Sequence, residues 1–160
     1  MGRDDASDAT FEAGGEAPIR LRAESVEDLA VISALTQDAV GKVANVRYAP
    51  RQRRFSLLIY RFRWEDRARA AKEKRPYERV AAALTFDDVV RARAVGLDPR
   101  EKDAVFNLLG LSFEPAEDGA GVITVSCSGG ASLAMQVEWV STRLVDLTRP
   151  WAAGGQPQHY

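Results

Sequence analysis

Eleven consecutive residues, 54–64, leave this chain few folds to choose from. Alternation places Phe55, Leu57 and Ile59 on one side of an extended strand and Leu58, Tyr60, Phe62 and Trp64 on the other. A strand that is apolar on both sides must be covered twice, so it belongs inside a sheet. Arg61 and Arg63 continue the first side beyond Ile59, and there the strand is expected to emerge into solvent.

The neighbouring sequence supplies partners for that strand. Residues 19–22 alternate and suit a short edge strand, and residues 43–48 read as another. Residues 78–86 and 89–97 bracket Asp87-Asp88, a two-residue signal for a hairpin. Residues 121–128 and 131–140 flank Gly129-Gly130 in the same way, and 142–147 closes the series. Residues 104–113 fit a helix or a strand. The spacing Phe-x-Leu-Leu-x-x-x-Phe occurs at Phe55–Phe62 and again at Phe106–Phe113, and this echo of a duplication favours a strand. Ser25 and Asp28 form a capping box. Val26, Leu29, Ile32, Leu35, Ala39 and Val40 then share one helical face, so a helix is expected over 26–40 with Gly41 as its stop. Asp98 and Pro99 can cap a short helical turn. The fold class is α+β, mostly antiparallel, with eight or nine strands, one N-terminal helix and room for two similar meanders packed face to face.

Residues 1–17 are glycine, alanine and acid around a single large apolar side chain, Phe11, and read as a disordered acidic tail. Residues 18–151 form one globular domain, and 152–160 read as a flexible end. Residues 65–76 are charged without apolar period, a long loop or a solvated helix. Cys127 is the only cysteine, which excludes an internal disulfide and fits a reducing compartment. The N-terminus lacks the apolar core of a secretory signal, and no run approaches the roughly 20 apolar residues needed to cross a bilayer. A cytoplasmic location without membrane contact follows as the expectation.

At this point a resemblance is visible. Ile19-Arg20-Leu21-Arg22-Ala23-Glu24, Asp28-Leu29-Ala30-Val31-Ile32-Ser33, Arg53-Arg54-Phe55 and Arg61-Phe62-Arg63-Trp64-Glu65 are similar to a bacterial family, mainly alphaproteobacterial, known as the domain of unknown function DUF2948. The similarity covers residues 19 to about 151. It implies a small cytoplasmic bacterial protein and supplies no activity, cofactor or catalytic residue.

The residues themselves offer little to catalysis. His159, the sole histidine, is next to last, so histidine base chemistry and histidine metal sites are not expected. Asp87-Asp88, Glu117-Asp118 and Glu65-Asp66 read as turn or loop carboxylates, and Cys127 shares an apolar face with Ile123 and Val125. The glycine pairs join strands, whereas a phosphate-cradling loop leads into a helix. No catalytic residue, metal or cofactor is expected.

Charge is the remaining signal. Residues 42–79 hold 13 of the 22 Lys and Arg residues against four acids, in a chain of net charge −1. Arginines there are interleaved with Tyr48, Tyr60, Trp64 and Tyr77. Guanidinium groups pair bidentately with carboxylates and phosphates and stack on aromatic rings. The candidate contact residues are Arg54, Arg61, Arg63, Trp64 and Arg67. The preferred reading is a non-catalytic binding or adaptor module that engages a protein partner, or a second copy of itself as a homodimer. One alternative is single-stranded nucleic acid held on a cationic, aromatic groove. Another is an enzyme or sensor in which Arg54, Arg61 and Arg63 clamp a small anionic metabolite. The plain alternative is a solvated or internally paired surface, since outward arginines also protect strand edges.

Overall fold

The computed structural model describes residues 18–66, 71–73, 78–147 and 151–152. Its strands are β1 (Arg20–Ala23), β2 (Val40–Ala49), β3 (Arg54–Phe62), β4 (Glu78–Phe86), β5 (Val89–Val95), β6 (Val105–Pro115), β7 (Gly121–Cys127), β8 (Ser132–Val137), β9 (Thr142–Asp146) and the two-residue β10 (Trp151–Ala152). Helix α1 spans Val26–Thr36. The nine expected strands all form, and β10 is added beside β4. The α+β class and its antiparallel pairing hold, and residues 104–113 take the strand form that the phenylalanine echo favoured.

Along the sheet the order is β1-β9-β4-β3-β2-β6-β7-β8-β5. Two antiparallel meanders, β2-β3-β4 and β6-β7-β8, meet where β2 pairs with β6 at Gly41↔Phe106. Asp87-Asp88 does not close the expected hairpin. β4 pairs with β3 and β9, while β5 crosses over to pair with β8. The reason lies in the partners available. β9, which follows β8 in sequence, crosses the other way and takes the free side of β4. Each meander therefore ends on a strand that completes the other meander. Exchanging β2 with β6, β3 with β7, β4 with β8 and β9 with β5 reproduces the order. The phenylalanine echo does not follow this exchange, because its two copies sit on β3 and β6.

Both meanders contribute to one core. Phe55, Leu57 and Ile59 from β3 and Leu84 and Phe86 from β4 join Phe106 and Leu108 from β6, Ile123 and Val125 from β7, and Leu133 and Met135 from β8. Burying each such side chain stabilises the fold by about 1.5–3 kcal/mol relative to exposure.

Helix α1 begins as expected, with the Asp28 N–H donating to the Ser25 Oγ at 3.1 Å. It ends four residues earlier than the expected 26–40. Asp38 turns the chain with a φ of 64°, and Ala39 enters the core ahead of β2. Gly41 is no helix stop, because a Cβ there would lie 2.7 Å from the Phe106 Cζ. The buried stripe of α1 is Leu29, Ile32 and Thr36, whereas Val26 is half exposed. The Ser33 Oγ accepts the Leu111 N–H at 2.8 Å, so α1 satisfies an edge donor of β6 that β2 leaves open. Residues 98–101 form a turn rather than the expected helical one, with the Arg100 N–H donating to the Asp98 Oδ1. The Asp98 side chain thus makes the expected capping bond, but the chain does not continue it into a helix.

Candidate binding surface

The inward alternation of β3 continues past Ile59, and it carries Arg61 into the protein. Arg61 is fully buried and Arg63 nearly so, at 0% and 3% exposure. The expected emergence of β3 into solvent therefore does not occur. The physical reason is a set of carboxylates that meets the two cations inside. Arg61 donates through Nε and Nη2 to Asp146 Oδ1 and Oδ2, both at 2.9 Å. It also donates through Nη1 and Nη2 to Glu65 at 3.0 and 2.9 Å, and through Nη1 to the Phe62 carbonyl at 3.0 Å. All five guanidinium N–H groups thus find acceptors. Asp146 also ties down the start of β1: its Oδ2 accepts the Ile19 N–H, and its own N–H donates to the Ile19 carbonyl, both at 2.9 Å. Arg63 pairs with Glu78 and lies 3.6 Å from Glu65.

The electrostatics follow from that geometry. Burial opposes the charge on Arg61, but hydrogen bonds and attraction from Glu65 and Asp146 outweigh it and hold the guanidinium protonated above arginine's usual range. Burial likewise opposes the charge on Glu65, yet the hydrogen bonds from Arg61 and the positive charges of Arg61 and Arg63 pull its carboxyl below the ordinary value. Arg61 and Arg63 are internal counter-ions and present no open surface.

The other expected contact residues are dispersed. Arg54 is exposed and donates through Nε to Asp87 Oδ1 at 2.8 Å, while Arg143 reaches Asp87 Oδ2. Trp64 is partly buried. Its Nε1 donates to the Gln37 carbonyl at 2.9 Å, and its ring packs 5.5 Å from that of Phe62, so it joins the end of α1 to the end of β3. Arg67 lies outside the described residues. A clamp of Arg54, Arg61 and Arg63 does not form, since Arg54 lies at the opposite end of β3 from Arg61.

Where the two crossovers pass one another, further arginines are engaged. Arg53 pairs with Glu138 at 2.6 Å, and Trp139 Nε1 donates to Asp88 Oδ2 at 2.7 Å. Five exposed arginines, Arg20, Arg47, Arg51, Arg91 and Arg93, make no side-chain hydrogen bond or ion pair with a described residue. Arg20 and the last two lie outside the basic stretch. On β5 the sequence Arg91-Ala92-Arg93 puts both cations on the outward side, with Arg91 opposite Gln136 and Arg93 opposite Ala134. Across the sheet the rows continue as Gln136–Val122–Glu114 and Ala134–Thr124–Ser112. Arg91, Ala92, Arg93, Val122, Ala134 and Gln136 line a shallow cavity of about 240 Å³. The signal in sequence was the alternation of 91–94, two arginines spaced by alanines, masked by the larger cationic density upstream.

Among the described residues no three His, Cys, Asp or Glu side chains gather to hold a metal, and no helix is long and apolar enough to cross a membrane. Burial pushes the Cys127 thiol up to about 11. The exposed chemistry on the β5 face is guanidinium, amide and hydroxyl, which can bind anions by charge and hydrogen bonds.

A family model for proteins of unknown function, DUF2948, matches residues 19–159. The chain belongs to the DUF2948 family. Comparison of this DUF2948 chain with curated proteins and with solved structures finds no match.

Proposed function

We propose that this DUF2948 protein is a non-catalytic binding module, and that its contact surface is the outward face of β5, β8 and β7. The observation that carries this reading is the pair Arg91 and Arg93, exposed and without a described partner, beside a shallow cavity floored by small side chains. Unpaired guanidinium groups in register with an amide favour a carboxylate-bearing partner. An acidic protein fits this face better than single-stranded nucleic acid. The rows from Arg91 to Glu114 and from Arg93 to Ser112 contain no aromatic platform, and stacking is what holds bases without sequence preference. Arg61 and Arg63, on which the nucleic-acid and metabolite readings both leaned, are buried against their own carboxylates. A cytoplasmic setting belongs to this proposal.

Polyglutamate at low salt tests the reading. The protein should bind it with an affinity that falls steeply as salt rises, and Arg91→Glu with Arg93→Glu should abolish binding, whereas Arg53→Gln should not. Binding that survives the double replacement overturns the assignment of this face. Arginine-dependent binding of single-stranded RNA with none of polyglutamate would replace a protein partner with nucleic acid.

A further inference from the structure

We infer that β5 receives an extended acidic segment of a partner protein as an added strand, with carboxylates at alternate positions of that segment held by Arg91 and Arg93. This rests on the binding reading above and names its mode.

β5 is the last strand in the sheet order, so among the described residues one of its edges has no strand partner. The opposite end of the sheet, β1, is only four residues long and has α1 packed against it. β5 is seven residues long. Its beginning is already tied down, by the Val89 N–H donating to the Arg53 carbonyl at 2.9 Å and by the Tyr48 hydroxyl at 3.4 Å from the Val90 carbonyl. From Arg91 to Val95 no strand lies beyond it among the described residues. An unpaired edge of this length presents backbone donors and acceptors to any extended chain.

The side chains decide which chain is accepted. A second copy pairing antiparallel through its own β5 would bring Arg91 and Arg93 against arginines, and like charges directly opposite one another are destabilising. The two cations therefore reject self-pairing and select a strand with acids at every second residue. A carboxylate opposite Arg91 and another opposite Arg93 would both fall on the outward face, because side chains two residues apart share a face. Val90 and Val95, at 43% and 49% exposure, offer apolar contact at both ends of the strand.

The test uses the full chain and three nine-residue peptides. One alternates glutamate and valine, the second has the same sequence with N-methylated backbone amides, and the third has the same composition with its glutamates gathered at one end. Hydrogen exchange of the protein is followed in parallel. The alternating peptide should bind and slow amide exchange within residues 91–95, and the other two should bind at least tenfold more weakly. Arg91→Glu with Arg93→Glu should remove both effects. Equal binding of the N-methylated peptide, or protection confined to other strands, overturns strand addition while leaving the acidic-partner reading in place. Failure of polyglutamate and all three peptides to bind overturns both.

Discussion

At the scale of single residues, Arg61 decides the most. Its guanidinium sits fully buried between Asp146 and Glu65, and it fastens β3 to β9 and, through Asp146, to the start of β1. Replacing it with methionine would leave the buried Asp146 carboxylate without its counter-ion and Glu65 with Arg63 alone, and removing one partner of a buried pair typically costs about 3–5 kcal/mol. Urea denaturation should show that loss for Arg61→Met. Arg61→Lys should recover only part of it, because a single ammonium cannot bridge two carboxylates in fork geometry. The same network makes the fold sensitive to acid. The Glu65 carboxyl is depressed in the folded state, so its stabilisation is fully present above its ordinary value of 4.5 and is lost as pH falls through the folded value. Glu65→Gln should therefore unfold at lower urea than wild type at pH 7, with the gap closing below about pH 4. A gap that stays constant down to pH 3 contradicts this assignment.

Among the elements, most boundaries were legible because the local signals were strong. Ser25 and Asp28 marked the start of α1, and the two-sided apolar pattern of 54–64 placed β3 in the sheet interior. The end of α1 was not legible. Ala39 and Val40 continue an apolar helical spacing, and only tertiary pairing with β3 and β6 draws Val40 into β2. Gly41 is a case where local grammar pointed to the wrong cause. It lies beneath the Phe106 ring at the junction of the two meanders, where a Cβ would approach the ring to 2.7 Å. Phe106 is 2% exposed and has little room to yield. Gly41→Ala should cost about 1–3 kcal/mol, the range for overpacking a core. Combining it with Phe106→Leu should restore part of that loss, measured as a double-mutant cycle. A near-additive cycle contradicts direct contact as the cause. The candidate surface was the least legible feature, since arginines destined for burial look the same in sequence as arginines left for a partner. Arg61 and Arg63 found Asp146 and Glu78, 85 and 15 residues away, and no local pattern announces such pairings.

At the scale of the whole molecule, the exchange of last strands between the meanders governs assembly. Neither β2-β3-β4 nor β6-β7-β8 has its full set of neighbours until the other is present. Separately produced fragments 1–97 and 98–160, a division that parts β4 from β9 and β8 from β5, should each lack a cooperative melting transition. Mixed, they should form a 1:1 complex with one sharp transition, seen by circular dichroism and sizing. Independent cooperative melting of either fragment contradicts the dependence. Pairings of this long range also place folding in the millisecond-to-second regime typical of β topologies rather than the microsecond regime of helical bundles. The crossover at Asp87-Asp88 is further stitched to its counterpart, with the Asp87 N–H donating to the Ser141 carbonyl and the Glu138 N–H to the Asp88 carbonyl. A protease that severs the backbone at this point would find nothing to release. The cut halves stay laced together like crossed bootstraps, and only denaturant would reveal the nick.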